Sequence, residues 1–211
     1  MQTNIAVALV QSDQYAAAEP VLTECVKLAR SLGDDHLVAV NLGNLAIAVY
    51  EQGDVDRAAS LRGEALALAR SVGDSFLVSE SLNDQGRAEY RDGKLQSAAE
   101  TFLESLILAR QLADPVATIW ALECFAELAT AKHAHERATM ILGAVATLRE
   151  AIGLRNPPRE EHKHKRVTAA ARAALGDAAF DRTWRGGGEM SLDEAVRYAL
   201  SDQDAVDNAT E

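Results

Sequence analysis

Two pairs of histidines are the residues of this 211-residue chain whose type and spacing could hold a metal ion. His133 and His135 are separated by one residue, and so are His162 and His164. Each pair offers two ligands, whereas a zinc site takes three or four ligands from the protein, and neither pair has a cysteine nearby. Residues two apart also do not share one face of a helix. We therefore expect no metal here, and an enzyme or small-molecule binder built on these pairs is the third of three functional hypotheses.

A glycine run and two cysteines could also take part in chemistry. The run Gly186-Gly187-Gly188 lacks the lysine and the preceding strand of a phosphate-binding loop, and we predict a flexible turn there. Cys25 and Cys124 fall on apolar helical faces, which favours buried thiols over a disulfide. No grouping of serine, histidine and aspartate indicates a nucleophile beside its base. The sequence therefore predicts neither enzymatic activity nor a cofactor.

The composition is that of an acidic protein of the cytoplasm. The formal net charge is −11, with 48% hydrophobic and 25% charged residues, and neither an apolar run of membrane-spanning length nor a leader segment is present. An acidic surface repels phosphates, so we expect no direct binding of nucleic acid. One basic cluster stands out in the C-terminal part, where we expect a solvated helix face; the alternatives are a contact with an acidic partner or with the acidic array. It comprises Arg159, His162, Lys163, His164, Lys165 and Arg166.

The chain repeats itself every 40 residues over roughly its first 153 positions. Pairs of residues recur at that interval, and so does one alanine. The recurring pairs are Leu32-Gly33, Val72-Gly73, Leu112-Ala113 and Ile152-Gly153, and the alanines are Ala18, Ala58, Ala98 and Ala138. A period of this length implies a stacked array of similar units. The fourth copy departs from the others because His133-Ala134-His135 replaces the glycine turn.

Each repeat predicts two helices. Apolar residues recur three and four positions apart, as at Leu42, Leu45 and Val49, and no stretch alternates with the period of a strand. Glycines such as Gly53 end the first helix of a pair, and aspartates such as Asp74 precede the next pair. Small residues let the hairpins approach closely, so that neighbouring copies bury one core. The predicted helices span 2–11, 14–32, 36–51, 55–72, 76–91, 95–112, 115–131 and 135–152.

These motifs resemble the tetratricopeptide repeat (TPR) family, in a variant with repeats of about 40 residues. The resemblance implies an all-α fold, a right-handed α-α superhelix of helical hairpins with a C-terminal helical cap. The matching positions in one copy are Leu42 to Ala46, Gly53-Asp54, Ala58 and Ala65-Leu66, and in the next copy Leu82, Gly86, Gly93, Ala98, Phe102 and Leu106.

The C-terminal part breaks the period at Asn156-Pro157-Pro158. We predict four repeats over 1–153, capping helices over 154–200 and a disordered tail over 201–211. The capping helices are expected from Arg159 to Leu175, from Ala178 to Trp184, and after a capping box at Ser191-Leu192-Asp193-Glu194.

This part is also similar to the C-terminal end of large bacterial signalling ATPases, the LuxR-type, SARP-type and adenylate-cyclase-linked regulators of the STAND class. The motifs that carry this second resemblance include Glu136-Arg137-Ala138, Leu142-Gly143-Ala144, Leu148 to Gly153, Gly176 to Phe180, Trp184 and Ser191 to Val196. In such regulators a TPR-like superhelix follows a nucleotide-binding module and acts as a sensor or a platform for partners. The resemblance thus implies a non-enzymatic interaction module of a bacterial signalling or transcriptional regulator.

The TPR resemblance places a peptide or protein partner on the concave face, which is lined by the first helix of each hairpin. The residues mapped to that face are Asn44, Ile47, Tyr50, Asn83, Asp84, Arg87, Tyr90, Trp120, Glu123 and Glu127. Tyr50 and Tyr90 could instead close the hairpins, and Trp120 could belong to the core. As an alternative function, a freestanding adaptor would form homodimers through an uncapped N-terminal edge, because Ile5-Ala6 align with Leu45-Ala46 inside a first helix.

Overall fold

The computed structural model describes residues 2–155 and 158–201, with the side chains of all of these except residues 2, 158–160, 162 and 163. Most of the predicted tail, 202–211, lies outside the described residues. The chain forms two compact units, the first reaching Leu112 and the second beginning at Ala113.

All regular structure in the described residues is helical, as the sequence predicts. None of these helices is both long enough and apolar enough to cross a membrane. The first unit contains α1 Gln2–Gln11, α2 Tyr15–Leu32, α3 Asp35–Glu51, α4 Val55–Val72, α5 Ser75–Arg91 and α6 Leu95–Gln111. The second contains α7 Pro115–Ala131, α8 His135–Ala151, α9 Pro158–Leu175, α10 Asp177–Gly188 and α11 Leu192–Leu200.

The helix ends follow the 40-residue period, and α1 to α8 begin and end within about one residue of their predicted bounds. The residue in the turn within each hairpin has a positive φ in every copy: Asp13 (58°), Gly53 (94°), Gly93 (77°) and His133 (58°). In the turns that follow the hairpins, φ is also positive, at Gly33 (69°), Gly73 (75°), Ala113 (50°) and Gly153 (66°). The fourth copy therefore keeps the same turn geometry although a histidine occupies the glycine position.

Aspartate side chains begin the first helices of the hairpins. The carboxylate of Asp34 accepts a hydrogen bond from the Leu37 backbone N–H at 2.9 Å, and Asp74 does the same for Leu77 at 3.0 Å. These bonds satisfy amide protons that have no partner inside the helix. The predicted capping box before α11 is confirmed: Ser191 Oγ accepts from the Glu194 N–H, and the Glu194 carboxylate accepts from the Ser191 N–H at 2.8 Å.

Small residues allow the helices of the first unit to pack close together. Ala18, Ala58 and Ala98 are fully buried. A Cβ atom on Gly86 of α5 would lie 2.4 Å from Cε1 of Phe102 on α6, a side chain with no exposed surface. Buried leucines such as Leu22 and Leu42 fill the spaces between these close approaches. The core therefore continues from one hairpin to the next.

In the second unit the glycine run corrects our prediction of a flexible turn. Gly186, Gly187 and Gly188 form the last turn of α10, which packs closely against α8. A Cβ atom on Gly187 would lie 2.0 Å from the Met140 carbonyl oxygen, and one on Gly143 of α8 would lie 2.2 Å from the Trp184 carbonyl oxygen. The glycines are therefore needed for two helix backbones to touch, and they do not make the chain flexible here.

Candidate functional site

The Tyr50 ring lies near two arginines, close to the C-terminal ends of α3 and α5. The Tyr50 hydroxyl donates to Asp92 Oδ1 at 3.2 Å. The guanidinium carbons of Arg62 and Arg91 lie 5.3 Å and 5.4 Å from the centroid of the Tyr50 ring, within cation–π range. We call Tyr50, Arg62, Arg91 and Asp92 the Tyr50 cluster. Because its members come from three helices and a turn, the cluster depends on the packing of two neighbouring hairpins.

Burial and nearby charges shift the pKa values of Tyr50 and Arg62 in this cluster. Burial, with the charge and the hydrogen bond of Asp92, raises the pKa of Tyr50 above its ordinary value. Burial lowers the pKa of Arg62, while the nearby carboxylate of Asp84 opposes that effect. Arg91 also pairs with Glu51. The cluster is thus a partly desolvated network. Arg62 and Arg91 contact the Tyr50 ring, while Glu51 pairs with Arg91 and Asp84 interacts electrostatically with Arg62.

An acidic surface extends along α5 from the Tyr50 cluster. Glu80 and Asp84 are one turn apart and so lie on one face of the helix. Burial, together with the negative charges of Asp84 and Asp74, raises the pKa of Glu80 to about 7. Asp74 itself lies 3.0 Å from Nε2 of His36. We call Glu80 and Asp84 the acid pair, and its mutual repulsion favours a cation in its neighbourhood.

The structure places the site residues predicted for α3 and α5 at different depths. Asn44 is partly buried, and its amide donates to the Val40 carbonyl one turn earlier at 2.9 Å. Asp84, Arg87 and Tyr90 are also partly buried, whereas Asn83 is 4% exposed. The charge of Arg62 interacts with both Asp84 and Tyr50. Asn83 is buried among the packed helices and is not part of this surface.

Trp120 and Glu123 lie in the second unit, both on α7. Trp120 is partly buried. Glu123 is 8% exposed, and its carboxylate lies 3.1 Å from Nη1 of Arg149 on α8. A buried pair of this kind is strongly destabilised when one partner is removed. Glu123 would therefore meet a binding partner only if the pair with Arg149 opened.

The histidine side chains that the structure describes do not come together in a site of three or more ligands. The rings of His133 and His135 meet edge to face with centroids 5.9 Å apart. His164 packs against Trp184, and burial together with the charge of Arg149 lowers its pKa. The side chain of His162 lies outside the described residues. Across the part of the chain that the structure describes, no group of three or more His, Cys, Asp or Glu side chains could hold a metal ion.

Sequence reasoning missed Arg62, Glu80, Arg91 and Asp92. Arg62 belongs to a second helix, which the family pattern does not assign to the binding face. The spacing of Glu80 and Asp84 by four residues was a usable signal, because it places both carboxylates on one helix face. The approach of Asp92 to Tyr50 depends on two neighbouring hairpins, and the 40-residue period does not show it.

The family profile of the tetratricopeptide repeat matches residues 1–71 and 42–111 of the chain. Among curated proteins, one of Mycobacterium bovis and two of Mycobacterium tuberculosis, each named "Putative HTH-type transcriptional regulator", are 35% identical over 79 residues. That match covers 37% of this chain and 9% of each relative. The chain thus matches only a small part of the length of these relatives.

Solved structures share the fold over nearly the whole chain. A crystal structure of nearly identical TPR-like repeats from Podosopora anserina superposes with a TM-score of 0.59 at 19% identity, covering 96% of this chain and 95% of that one. A second structure of these repeats gives a TM-score of 0.56 at 19% identity, covering 97% and 94%. At this identity the likeness concerns the fold alone.

Proposed function

This chain belongs to the tetratricopeptide repeat family, and from that premise we propose that it is the partner-binding segment of a bacterial signalling or transcriptional regulator. Repeats of this family form protein-interaction modules. The partial likeness to HTH-type regulators supports the regulatory setting. In this proposal the chain acts without catalysis and without a cofactor, in the cytoplasm, and the region 154–200 caps the array.

The observation that carries the binding proposal is the acid pair beside the Tyr50 cluster. Glu80 and Asp84 repel each other, and burial together with the charges of Asp84 and Asp74 raises the pKa of Glu80 to about 7. A lysine or arginine of a partner would bring a positive charge to these carboxylates and favour their ionised forms. Tyr50 and Arg62 offer an amphipathic surface of the kind that is enriched at protein interfaces. We therefore propose an extended basic peptide, or a basic segment of a protein, on the α3–α5 face.

A random peptide library displayed on phage and selected against the full chain tests this function. We expect the enriched peptides to carry lysine or arginine beside an apolar residue. The double variant Glu80→Gln with Asp84→Asn should weaken their binding by about tenfold or more, because charged hydrogen bonds contribute about 1.5–3 kcal/mol. The matched variant Glu64→Gln with Glu104→Gln also removes two negative charges, at exposed positions of α4 and α6, and should bind as the unmodified chain does.

Three results would contradict the proposal: no enrichment of peptides, enrichment of acidic peptides, or equal weakening by both double variants. Raising the salt concentration supplies a second readout. Binding through charges should weaken with salt, whereas binding through apolar contacts alone should not.

The alternative function, an adaptor that forms homodimers through α1, stays a prediction. The exposed apolar side chain of Ile5, 51% accessible on α1, is the feature that favours it. Light scattering on Ile5→Lys and on the unmodified chain tests it. A dimer that dissociates in the variant would support self-association, and a monomer at micromolar concentration in both would contradict it.

A further inference from the structure

A cavity of about 560 Å³ lies in the second unit, between α8, α9 and α10. Its volume falls in the range of sites that take small organic molecules, about 300–1,000 Å³. Its walls combine an aromatic surface with a few polar groups, as such sites do. The residues that line it include Thr147, Thr168, Arg172, Trp184, Arg185 and Glu189. None of them belongs to the face proposed for peptide binding.

One hydroxyl in the wall lacks a hydrogen-bond partner. Four other helical threonines, Thr23, Thr118, Thr130 and Thr139, donate to the carbonyl four residues earlier, and Thr101 donates to the Glu89 carboxylate. Thr168 Oγ1 is buried and, among the described residues, has no such partner. A buried hydroxyl without a hydrogen bond is destabilising. A polar ligand in the cavity would satisfy it.

The aromatic wall is held in a fixed orientation. The rings of Phe180 and Trp184 stack with centroids 5.4 Å apart. The guanidinium of Arg172 lies 4.1 Å from the Phe180 centroid and pairs with Asp177 and Asp181, each at 3.0 Å. The charge of Arg172 is therefore already balanced by protein carboxylates. Trp184 presents an apolar surface to whatever occupies the cavity.

Two opposite charges in the wall are not matched by other described residues. Arg185 lies in the last turn of α10 and Glu189 caps the C-terminal end of that helix, and neither makes an ion pair with another side chain that the structure describes. A ligand with a single negative charge would gain from Arg185 but be repelled by Glu189. A ligand that carries one charge of each sign would gain from both.

We propose that this cavity binds a small zwitterion with an apolar side chain, an aromatic amino acid or a close derivative. The ligand's carboxylate lies against Arg185 and accepts the hydrogen bond of Thr168. Its ammonium group lies against Glu189, and its ring packs on Trp184. The chain would then carry a small-molecule site in the second unit in addition to the peptide face in the first.

Fluorescence of Trp184 during titration with L-phenylalanine tests the proposal. The chain has two tryptophans, so the Trp120→Phe variant makes Trp184 the sole reporter. We expect a saturable change in the emission of Trp184. Phenylpropionate lacks the ammonium group, phenethylamine lacks the carboxylate, and L-alanine lacks the ring, so each should bind about tenfold more weakly or not at all.

Variants of the full chain complete the test. Arg185→Gln and Thr168→Val should each weaken the binding of L-phenylalanine, Arg185→Gln by about tenfold. Arg182→Gln removes an exposed arginine of α10 that does not line the cavity and should leave binding unchanged. Circular dichroism of each variant checks that it is folded. An absence of saturable binding, phenylpropionate binding as tightly as L-phenylalanine, or an equal effect of Arg182→Gln would overturn the proposal.

Discussion

At the scale of single residues, the left-handed turn positions store strain wherever glycine is replaced. Asp13, Ala113 and His133 adopt φ values of 50–58°, a region that side chains with a Cβ atom enter at about 1–2 kcal/mol. Gly53 and Gly93 meet the same requirement without this strain. The hairpin geometry is thus imposed by packing in the first and fourth copies.

We predict that His133→Gly stabilises the chain by about 0.5–1 kcal/mol. Relief of about 1–2 kcal/mol of strain outweighs the larger entropy that glycine gives the unfolded chain. Gly93→Ala is the matched variant, and it should have the opposite sign because Gly93 occupies the equivalent turn with φ of 77°. Urea unfolding followed by circular dichroism measures both. A loss of stability in His133→Gly would contradict the strain argument.

Glu80 makes stability depend on pH. Burial and the charges of Asp84 and Asp74 raise its pKa in the folded chain from 4.5 to about 7, so the folded state holds a proton that the unfolded state releases. The corresponding stability is fully present below pH 4.5 and is lost as the pH rises through 7. Glu80→Gln should therefore stabilise the chain at pH 8 by ~1–3 kcal/mol and by much less at pH 4.

Glu104→Gln provides the control for the general effect of negative charge. Glu104 is exposed on α6 and pairs with Arg70, so its replacement should change stability by less than about 0.5 kcal/mol. Thermal unfolding of both variants between pH 4 and pH 8 measures the difference. Equal pH profiles for the two variants would show that Glu80 titrates as an ordinary surface carboxylate.

At the scale of the helices, substitutions at Ala58 and Ala59 distinguish the effect of core packing on stability from the effect of helix propensity. Ala58 is fully buried, whereas Ala59, the next residue of α4, is exposed. We predict that Ala58→Leu destabilises the chain by about 1–3 kcal/mol, because a larger side chain has no space in a packed core. Ala59→Leu keeps the helix propensity and should change stability by less than about 0.5 kcal/mol. Urea midpoints that coincide for the two variants would contradict the assignment of Ala58 to the core.

Two neighbouring glycines of α10 should respond in opposite directions. A Cβ atom on Gly186 meets Met140 Sδ at 3.5 Å, an ordinary contact, so Gly186→Ala should stabilise by up to about 1 kcal/mol through helix propensity. A Cβ atom on Gly187 would lie 2.0 Å from a backbone oxygen, so Gly187→Ala should destabilise by about 1–3 kcal/mol. Thermal unfolding of both variants measures the contrast. Stabilisation of both would mean that α8 and α10 are not in backbone contact.

These elements show how far the sequence alone could lead. The 40-residue period set the bounds of α1 to α8, because caps and turn residues recur with it. It failed at Gly186 to Gly188, where close helix packing makes three glycines helical. It also failed to show the contact of Glu123 with Arg149, 26 residues later in the chain, or that of Tyr50 with Asp92. Such contacts follow from how two helices pack, and a pattern within one helix does not contain them.

At the scale of the whole molecule, the two proposed sites can be tested independently. The acid pair and the Tyr50 cluster belong to the first unit, and the cavity beside Trp184 belongs to the second. Variants of Glu80 should therefore leave the binding of L-phenylalanine unchanged, and variants of Arg185 should leave peptide binding unchanged. Because sites in separate units are expected to act additively unless they are coupled, failure of one proposal does not imply failure of the other.

The proposed cap makes the last prediction. Phe180, Val196 and Ala199 are buried in the second unit, where α10 and α11 pack against α8. Removing residues 158–211 should expose the apolar side chains beneath them, and we expect self-association, dye binding to exposed apolar surface and a lower unfolding temperature. Removing residues 202–211 alone is the matched truncation and should leave all three unchanged. If the longer truncation stayed monomeric and equally stable, the helices after 154 would not act as a cap, and a separate role would have to account for the packing of α10 and α11 on α8.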